Sequence, residues 1–227
     1  MHNNIYLGDC LDFIRRIPDS SIDLVVTDPP YKIVAGGCTT KKNAMAGVLK
    51  QGEQNTKSGS LFTENNIKFS EWVPEMYRVL KDGTHCYIMS NGRNLRDLYN
   101  VAVESNFVYQ NLLVWDKGNV TPNRYYMNRC EFILMLRKGK ARSINNMGCS
   151  TLITIPNIIG KKLHPTEKPV QLMKHLIENS SNEQEVVLDP FVGVGSTCIA
   201  ARELNRRYIG FELDENYFNV AKRRIEG

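Results

Sequence analysis

Asp28-Pro29-Pro30-Tyr31 has the residue types needed for chemistry on a flat, polar ring. It follows the apolar run 22–26, which reads as a buried strand, and open α/β sheets bind ligands just beyond such strand ends. Two successive prolines fix an extended, rigid backbone there. The Asp28 carboxylate and the Pro29 carbonyl can then accept hydrogen bonds from one exocyclic NH2 group, while Tyr31 offers a stacking face. An amine conjugated to an aromatic ring is a poor nucleophile because its lone pair is delocalised into the ring. Acceptors on both N–H bonds favour the geometry in which that lone pair points at an electrophile. The pattern implies group transfer onto a nucleobase amine, with these four residues as the catalytic set.

A second motif, Asp189-Pro190-Phe191-Val192-Gly193-Val194-Gly195-Ser196-Thr197, follows the apolar run 186–188. Its glycines let the backbone approach a ligand, and Ser196-Thr197 opens a helix with free amide donors. The next predicted strand ends at Glu212, near the separation at which nucleotide-binding folds place an acid on ribose hydroxyls. Cys198 occupies the third position of a GxGxxG pyrophosphate fingerprint. The ligand expected is therefore a nucleoside rather than a dinucleotide.

These motifs need elements to position them. Strands are expected at 5–7, 22–26, 84–89, 109–115, 130–136, 186–188 and 207–211. Helices are expected at 11–17, from Ser70 as N-cap with Pro74 in its first turn or so, and at 95–104, 170–177, 196–204 and 215–225. Lys81-Asp82-Gly83 reads as the turn closing the second helix. Alternating strands and helices imply an α/β fold, a mostly parallel twisted sheet with helices on both faces. The length suits one domain over 1–227. Residues 32–66, rich in Gly, Lys, Asn, Thr and Ser without a sustained period, read as a flexible insert after the catalytic motif.

Composition sets further bounds. A hydrophobic fraction of 42% supports a packed core. No apolar run reaches a membrane-spanning length, and the N-terminus lacks the pattern of a secretory signal, so a cytoplasmic protein without a membrane partner is expected. Six scattered cysteines, with no CxxC pair, argue against a metal or a disulfide framework. The net charge of +5 is concentrated, with residues 117–142 carrying +6. Such a strip is the footprint of a polyanion partner or else a solvated basic loop. Lys117, Asn119, Arg124, Tyr125 and Arg129 are its candidate DNA contacts within a basic, DNA-facing region over 117–162.

Asp-Pro-Pro-Tyr together with Asp-Pro-Phe-x-Gly-x-Gly-Ser-Thr resembles the S-adenosylmethionine-dependent amino-methyltransferases of DNA. The catalytic motif precedes the glycine motif, as in the permuted beta group of that family. Leu7-Gly8-Asp9-Cys10, Trp115-Asp116-Lys117, Glu131-Phe132-Ile133-Leu134 and His164-Pro165-Thr166-Glu167-Lys168-Pro169 extend the likeness over nearly the whole chain. The resemblance implies a Rossmann-like class I methyltransferase fold with permuted motif order and S-adenosylmethionine as cofactor. It places Asp9 and the Cys10 backbone on the adenine and Glu212 on the ribose. Phe191, Gly193, Gly195, Ser196 and Thr197 would line the methionine and sugar pocket. His164, Thr166 and Lys168 would approach the methionine carboxylate, with Asp28 and Asp189 at the same pocket. Val194 stands where the family often has Ser, and residues 138–162 are too few for a separate recognition domain.

The implied activity is site-specific methylation of double-stranded DNA at adenine N6, on a base flipped out of the helix. Asp at the first catalytic position follows the family trend for adenine, whereas Ser there goes with cytosine. Alternatives are an N4-cytosine enzyme, an RNA or protein-amide methyltransferase, and a non-catalytic DNA-binding subunit that kept the fold. A homodimer and a cognate restriction endonuclease stay open as partners.

Overall fold

A computed structural model describes residues 3–30, 67–121, 125–160, 162–164 and 166–227. Contacts divide the chain into two units, Met1–Pro29 with Lys68–Gly227, and Pro30–Ile67. All described elements belong to the first unit; of the second, Pro30 and Ile67 are described. The expected insert at 32–66 and Tyr31 of the catalytic motif therefore lie outside the described residues, as does Arg124.

The elements in chain order are β1 (Asn4–Leu7), α1 (Cys10–Ile14), β2 (Ile22–Thr27), α2 (Phe69–Val79), β3 (Leu80–Ser90), α3 (Leu95–Glu104) and β4 (Val108–Thr121). There follow β5 (Asn128–Arg137), β6 (Leu152–Thr154), α4 (Val170–Ser180), β7 (Val186–Asp189), α5 (Ser196–Glu203), β8 (Arg207–Glu212) and α6 (Glu215–Glu226). The strands form one sheet in the order β1-β8-β7-β2-β3-β5-β4-β6. Neighbours run parallel, except that β5 runs against both β3 and β4. β2 and β7 are buried at every position, so neither shows an apolar-in, polar-out alternation. One face packs Leu24, Val26, Tyr87 and Met89 against Leu172, Leu176 and Ile177 of α4. α5 joins α4 to α6, while α2 touches α1 and α3.

From β2 the chain proceeds through α2 to β3 on one side; from β7 it proceeds through α5 to β8 on the other. The line between β2 and β7 is thus the topological switch point, where a crevice opens beyond the carboxyl ends of the strands. A hydrogen bond seals its floor, with Thr27 Oγ1 donating to Asp189 Oδ1 at 2.7 Å.

Four local expectations need correction. α2 is capped by Lys68 rather than Ser70, because the Glu71 carboxylate accepts the Lys68 N–H at 2.6 Å and closes the helix start two residues earlier. Pro74 consequently falls in the second turn. Lys81-Asp82-Gly83 belongs to β3, which begins at Leu80 directly after the helix, and the irregular step is absorbed between Ile22 and Leu24 of its partner. The polar connection after β5 contains β6, where Leu152–Thr154 pair with Val114–Asp116 at the sheet edge.

Candidate active site

The reversed direction of β5 decides which side chains meet. The ends of β2, β4, β7 and β8 lie on one edge of the sheet, and an antiparallel β5 delivers its beginning to that same edge. Asp28 follows β2, Lys117 lies late in β4, and Glu131 lies early in β5. The segment before α4 adds Lys168, whose carbonyl accepts from Ser196 Oγ at 2.8 Å. The first residue of α5 thereby fixes the backbone that carries the lysine.

The four charges alternate. Lys117 Nζ donates to Glu131 Oε1 at 3.1 Å. Glu131 Oε2 lies 3.4 Å from Lys168 Nζ, too far for a strong hydrogen bond but within ion-pair range. Lys168 Nζ donates to Asp28 Oδ2 at 2.5 Å and to the Thr166 carbonyl at 3.2 Å. The two lysine side chains are 9% and 6% exposed, so their desolvation must be met by these partners. Burial pushes the Asp28 carboxyl above its ordinary range, against the pull of Lys168 and with a further push from Glu131. Burial also pushes Glu131 up, but the two lysines outweigh it and the net direction is down. Asp28 Oδ1 is buried and has no hydrogen-bond partner among the described residues. A buried carboxylate oxygen without a donor is costly, and a bound N–H group would relieve that cost. Pro29 is buried beside it, and Pro30 ends the described part of the motif.

Beyond the switch point lies the glycine turn. Gly193 and Gly195 adopt φ of +56° and +92°. A side chain at Gly195 would press on Ala221 of α6 at 3.3 Å, whereas the space over Gly193 is open. Glu212 binds the turn, its Oε2 accepting the Gly193 N–H at 2.7 Å and its Oε1 the Asp214 N–H at 2.9 Å. Burial raises the Glu212 carboxyl against these backbone donors. Phe191 packs edge-on against Trp72, with ring centres 5.1 Å apart. Thr197 is buried beside Asp189, whose carboxyl burial pushes up to about 6 against donors that include Thr197, Thr27 and the Phe191 N–H.

Asp9 caps α1 by accepting the Leu11 N–H at 2.8 Å, and this holds the strand-to-helix turn beside β8. Cys10 is buried, and its thiol is pushed up to about 12, mainly by burial, which leaves it inert as a nucleophile. His164 packs on Tyr217 of α6 with centroids 4.2 Å apart, while its Nδ1 accepts the Thr166 N–H at 3.1 Å.

Four described cations of the basic strip are engaged by partners on folding. Lys117 is buried on Glu131, and Arg129 makes a two-pronged pair with Asp116 at 2.7 and 2.8 Å. Arg142 pairs with Glu185 at 2.5 Å, and Lys138 donates to the carbonyls of Tyr77 and Leu80. Past these pairs the β4–β5 hairpin presents exposed Val120, Tyr125, Tyr126 and Met127. Asn119 Oδ1 is buried on the same hairpin without a hydrogen-bond partner among the described residues.

Comparison with known proteins gives this arrangement a family. Residues 22–223 match the N6/N4 methyltransferase family of DNA methylases. The chain is 31% identical over 97% of its length to type II methyltransferase M2.MboI of Moraxella bovis, covering 86% of that protein.

The chain belongs to this family of DNA methyltransferases.

This methyltransferase is also 30% identical over 98% of its length to type II methyltransferase M.HinfI of Haemophilus influenzae, spanning 68% of that relative. Its fold matches the M1.HpyAVI–SAM complex at a TM-score of 0.73 and 27% identity, covering 97% of this chain and 98% of that one. The cytosine-N4-specific PvuII DNA methyltransferase shares the fold at a TM-score of 0.73 and 18% identity, covering 97% of this chain and 85% of that one. The carboxyl edge of the methyltransferase fits a nucleoside sulfonium such as S-adenosylmethionine: open space over Gly193 and a carboxylate pinned at Glu212. Lys168, expected from the sequence near the methionine carboxylate, lies against Asp28, and the link of both through Glu131 to Lys117 has no counterpart in the sequence pattern. Among the described residues no group of His, Cys, Asp or Glu could hold a metal, and no helix is long and apolar enough to cross a membrane.

Proposed function

We propose that this DNA methyltransferase transfers a methyl group from S-adenosylmethionine to the N6 amine of adenine in a base flipped out of duplex DNA. The observation that carries the reading is Asp28 Oδ1, a buried acceptor with no hydrogen-bond partner among the described residues, at the switch point beside the glycine turn. The amine donates one N–H to this oxygen and the other to the Pro29 carbonyl. The nitrogen lone pair is thereby turned toward the electrophile, and Tyr31 stacks on the ring. The cofactor supplies a methyl group on a positively charged sulfur. Glu212 and the turn from Phe191 to Thr197 hold its nucleoside and methionine portions, with Asp9 and Cys10 at the adenine and His164 and Thr166 near the carboxylate. Lys168 sits against Asp28 and serves the base side of the site.

Adenine is favoured by Asp at the head of the catalytic motif, as the family resemblance implies. On the DNA side we infer that the β4–β5 hairpin meets the duplex, because its exposed tyrosines and methionine could fill the space left by a flipped base. The relatives are named type II methyltransferases, which supports a modification role opposite a cognate restriction endonuclease in the cytoplasm. The test is incubation of the purified enzyme with duplex DNA and S-adenosylmethionine, followed by nucleoside analysis. N6-methyldeoxyadenosine is the expected product. N4-methyldeoxycytidine would overturn the adenine assignment, and absence of any methylated base with bound cofactor would favour a non-catalytic subunit.

A further inference from the structure

We infer that Glu131 and Lys117 are positioning residues for methyl transfer, acting on Asp28 through Lys168. The inference rests on Asp28 as the acceptor of the target amine. In geometry, Lys168 stands between two carboxylates, 2.5 Å from Asp28 Oδ2 and 3.4 Å from Glu131 Oε2. An ammonium beside a single carboxylate is free to swing across both of its oxygens. Glu131 prevents this by drawing Lys168 to one side, so the lysine occupies Oδ2 and leaves Oδ1 for the amine. Lys117, 3.1 Å from the other oxygen of Glu131, limits how strongly Glu131 competes for Lys168. These groups come from separate parts of the chain, the end of β2, β4, β5 and the segment before α4, so their alternation is a property of the fold.

The charged groups around the network fix the sign of each effect. Lys168, Glu131 and Asp189 act on Asp28. Asp28, Glu131, Lys162 and His164 act on Lys168, and Lys117 and Lys168 act on Glu131. Glu131→Gln removes a negative charge near Asp28 and takes away one of the two carboxylates that draw Lys168. The acid limb of the kcat–pH profile then moves to lower pH, while the plateau of kcat falls because Oδ1 is no longer kept open. Lys117→Met has the opposite electrostatic sign. Glu131 pulls harder on Lys168, Asp28 loses part of its compensation, and the acid limb moves to higher pH.

The experiment measures kcat, KM for DNA, cofactor Kd and the kcat–pH profile for the parent, Glu131→Gln, Lys117→Met and Asp28→Asn. For Glu131→Gln, kcat is expected to fall by about ten- to a hundredfold, the scale of an ångström-sized misplacement. Its acid limb is expected to move down by about one pH unit, with cofactor Kd unchanged. Lys117→Met is expected to shift the limb upward. If either variant loses cofactor binding and thermal stability without moving the limb, or if both move it in the same direction, the positioning role is overturned. Loss of transfer in Asp28→Asn combined with that failure overturns this inference alone. Full transfer by Asp28→Asn overturns the assignment of Asp28 itself.

Discussion

Asp28 and Glu212 are both carboxylates at strand ends, and the fold treats them differently. Asp28 has one oxygen held by an ammonium and the other without a donor among the described residues. Each oxygen of Glu212 accepts one backbone N–H and keeps lone-pair capacity for a hydroxyl donor. Glu212→Ala is therefore expected to weaken S-adenosylmethionine binding by about 10- to 150-fold, the worth of one charged hydrogen bond of ~1.5–3 kcal/mol. Calorimetric titration measures this directly, and an unchanged Kd would remove Glu212 from the pocket. Asp28 and Glu212 were legible in the sequence because each closes an apolar run beside a recognisable turn. Glu131 was legible as part of a motif but its role was not. Opposition to Lys117 and Lys168 depends on strand direction and register, which local composition does not encode.

At the scale of elements, the β4–β5 hairpin combines two features that the sequence presented as one charged region. Its body neutralises its own cations, with Lys117 on Glu131 and Arg129 on Asp116, and its end exposes Tyr126 at 92%. Cross-strand pairing of this kind is invisible in a linear charge count, so the strip looked more available to a polyanion than its folded form is. The hairpin's contribution to DNA binding is thus expected to lean on aromatic contact. Tyr126→Ala should weaken binding of a duplex by ~1–3 kcal/mol, the range for loss of one base–aromatic stack. Cofactor Kd should stay unchanged. Fluorescence anisotropy with labelled DNA measures the effect, and parental affinity would place the duplex elsewhere. Helix α3 at Leu95–Glu104 coincided with its expected span, since its apolar spacing marks one buried face. β6 escaped notice because a three-residue edge strand has no period to detect.

Over the whole molecule, buried titratable groups pull stability in opposite directions with pH. His85 and His164 are held neutral, each pushed down to about 4 chiefly by burial. Unfolded histidines take a proton near 6.5, so their contribution is complete above that pH and drains away as pH falls toward 4. Asp189, pushed up to about 6, has the reverse sign and gains over part of the same interval. The parent is thus expected to lose stability as pH falls through this interval, less steeply than the two histidines alone would give. His85→Gln should make the protein relatively more acid-resistant, by about 3 kcal/mol between pH 6.5 and 4. Denaturant titrations at a series of pH values test this, and parallel profiles for parent and variant would show that His85 does not titrate on unfolding. The α/β class and the parallel core were legible from alternating elements, whereas the reversal of β5 was not. The order β1-β8-β7-β2 has a consequence for a polypeptide still being synthesised. β1 pairs with β8 and β2 pairs with β7, strands that a ribosome makes long after their partners. β1 waits for its neighbour while β2 to β7 are made, and a messenger cut short before β7 yields a chain in which β1 and β2 both lack a partner strand in this sheet order. A nascent chain that stops short of β7 therefore lacks the glycine turn and Glu212, and the carboxyl edge of the sheet is assembled only once β7 and β8 have been made.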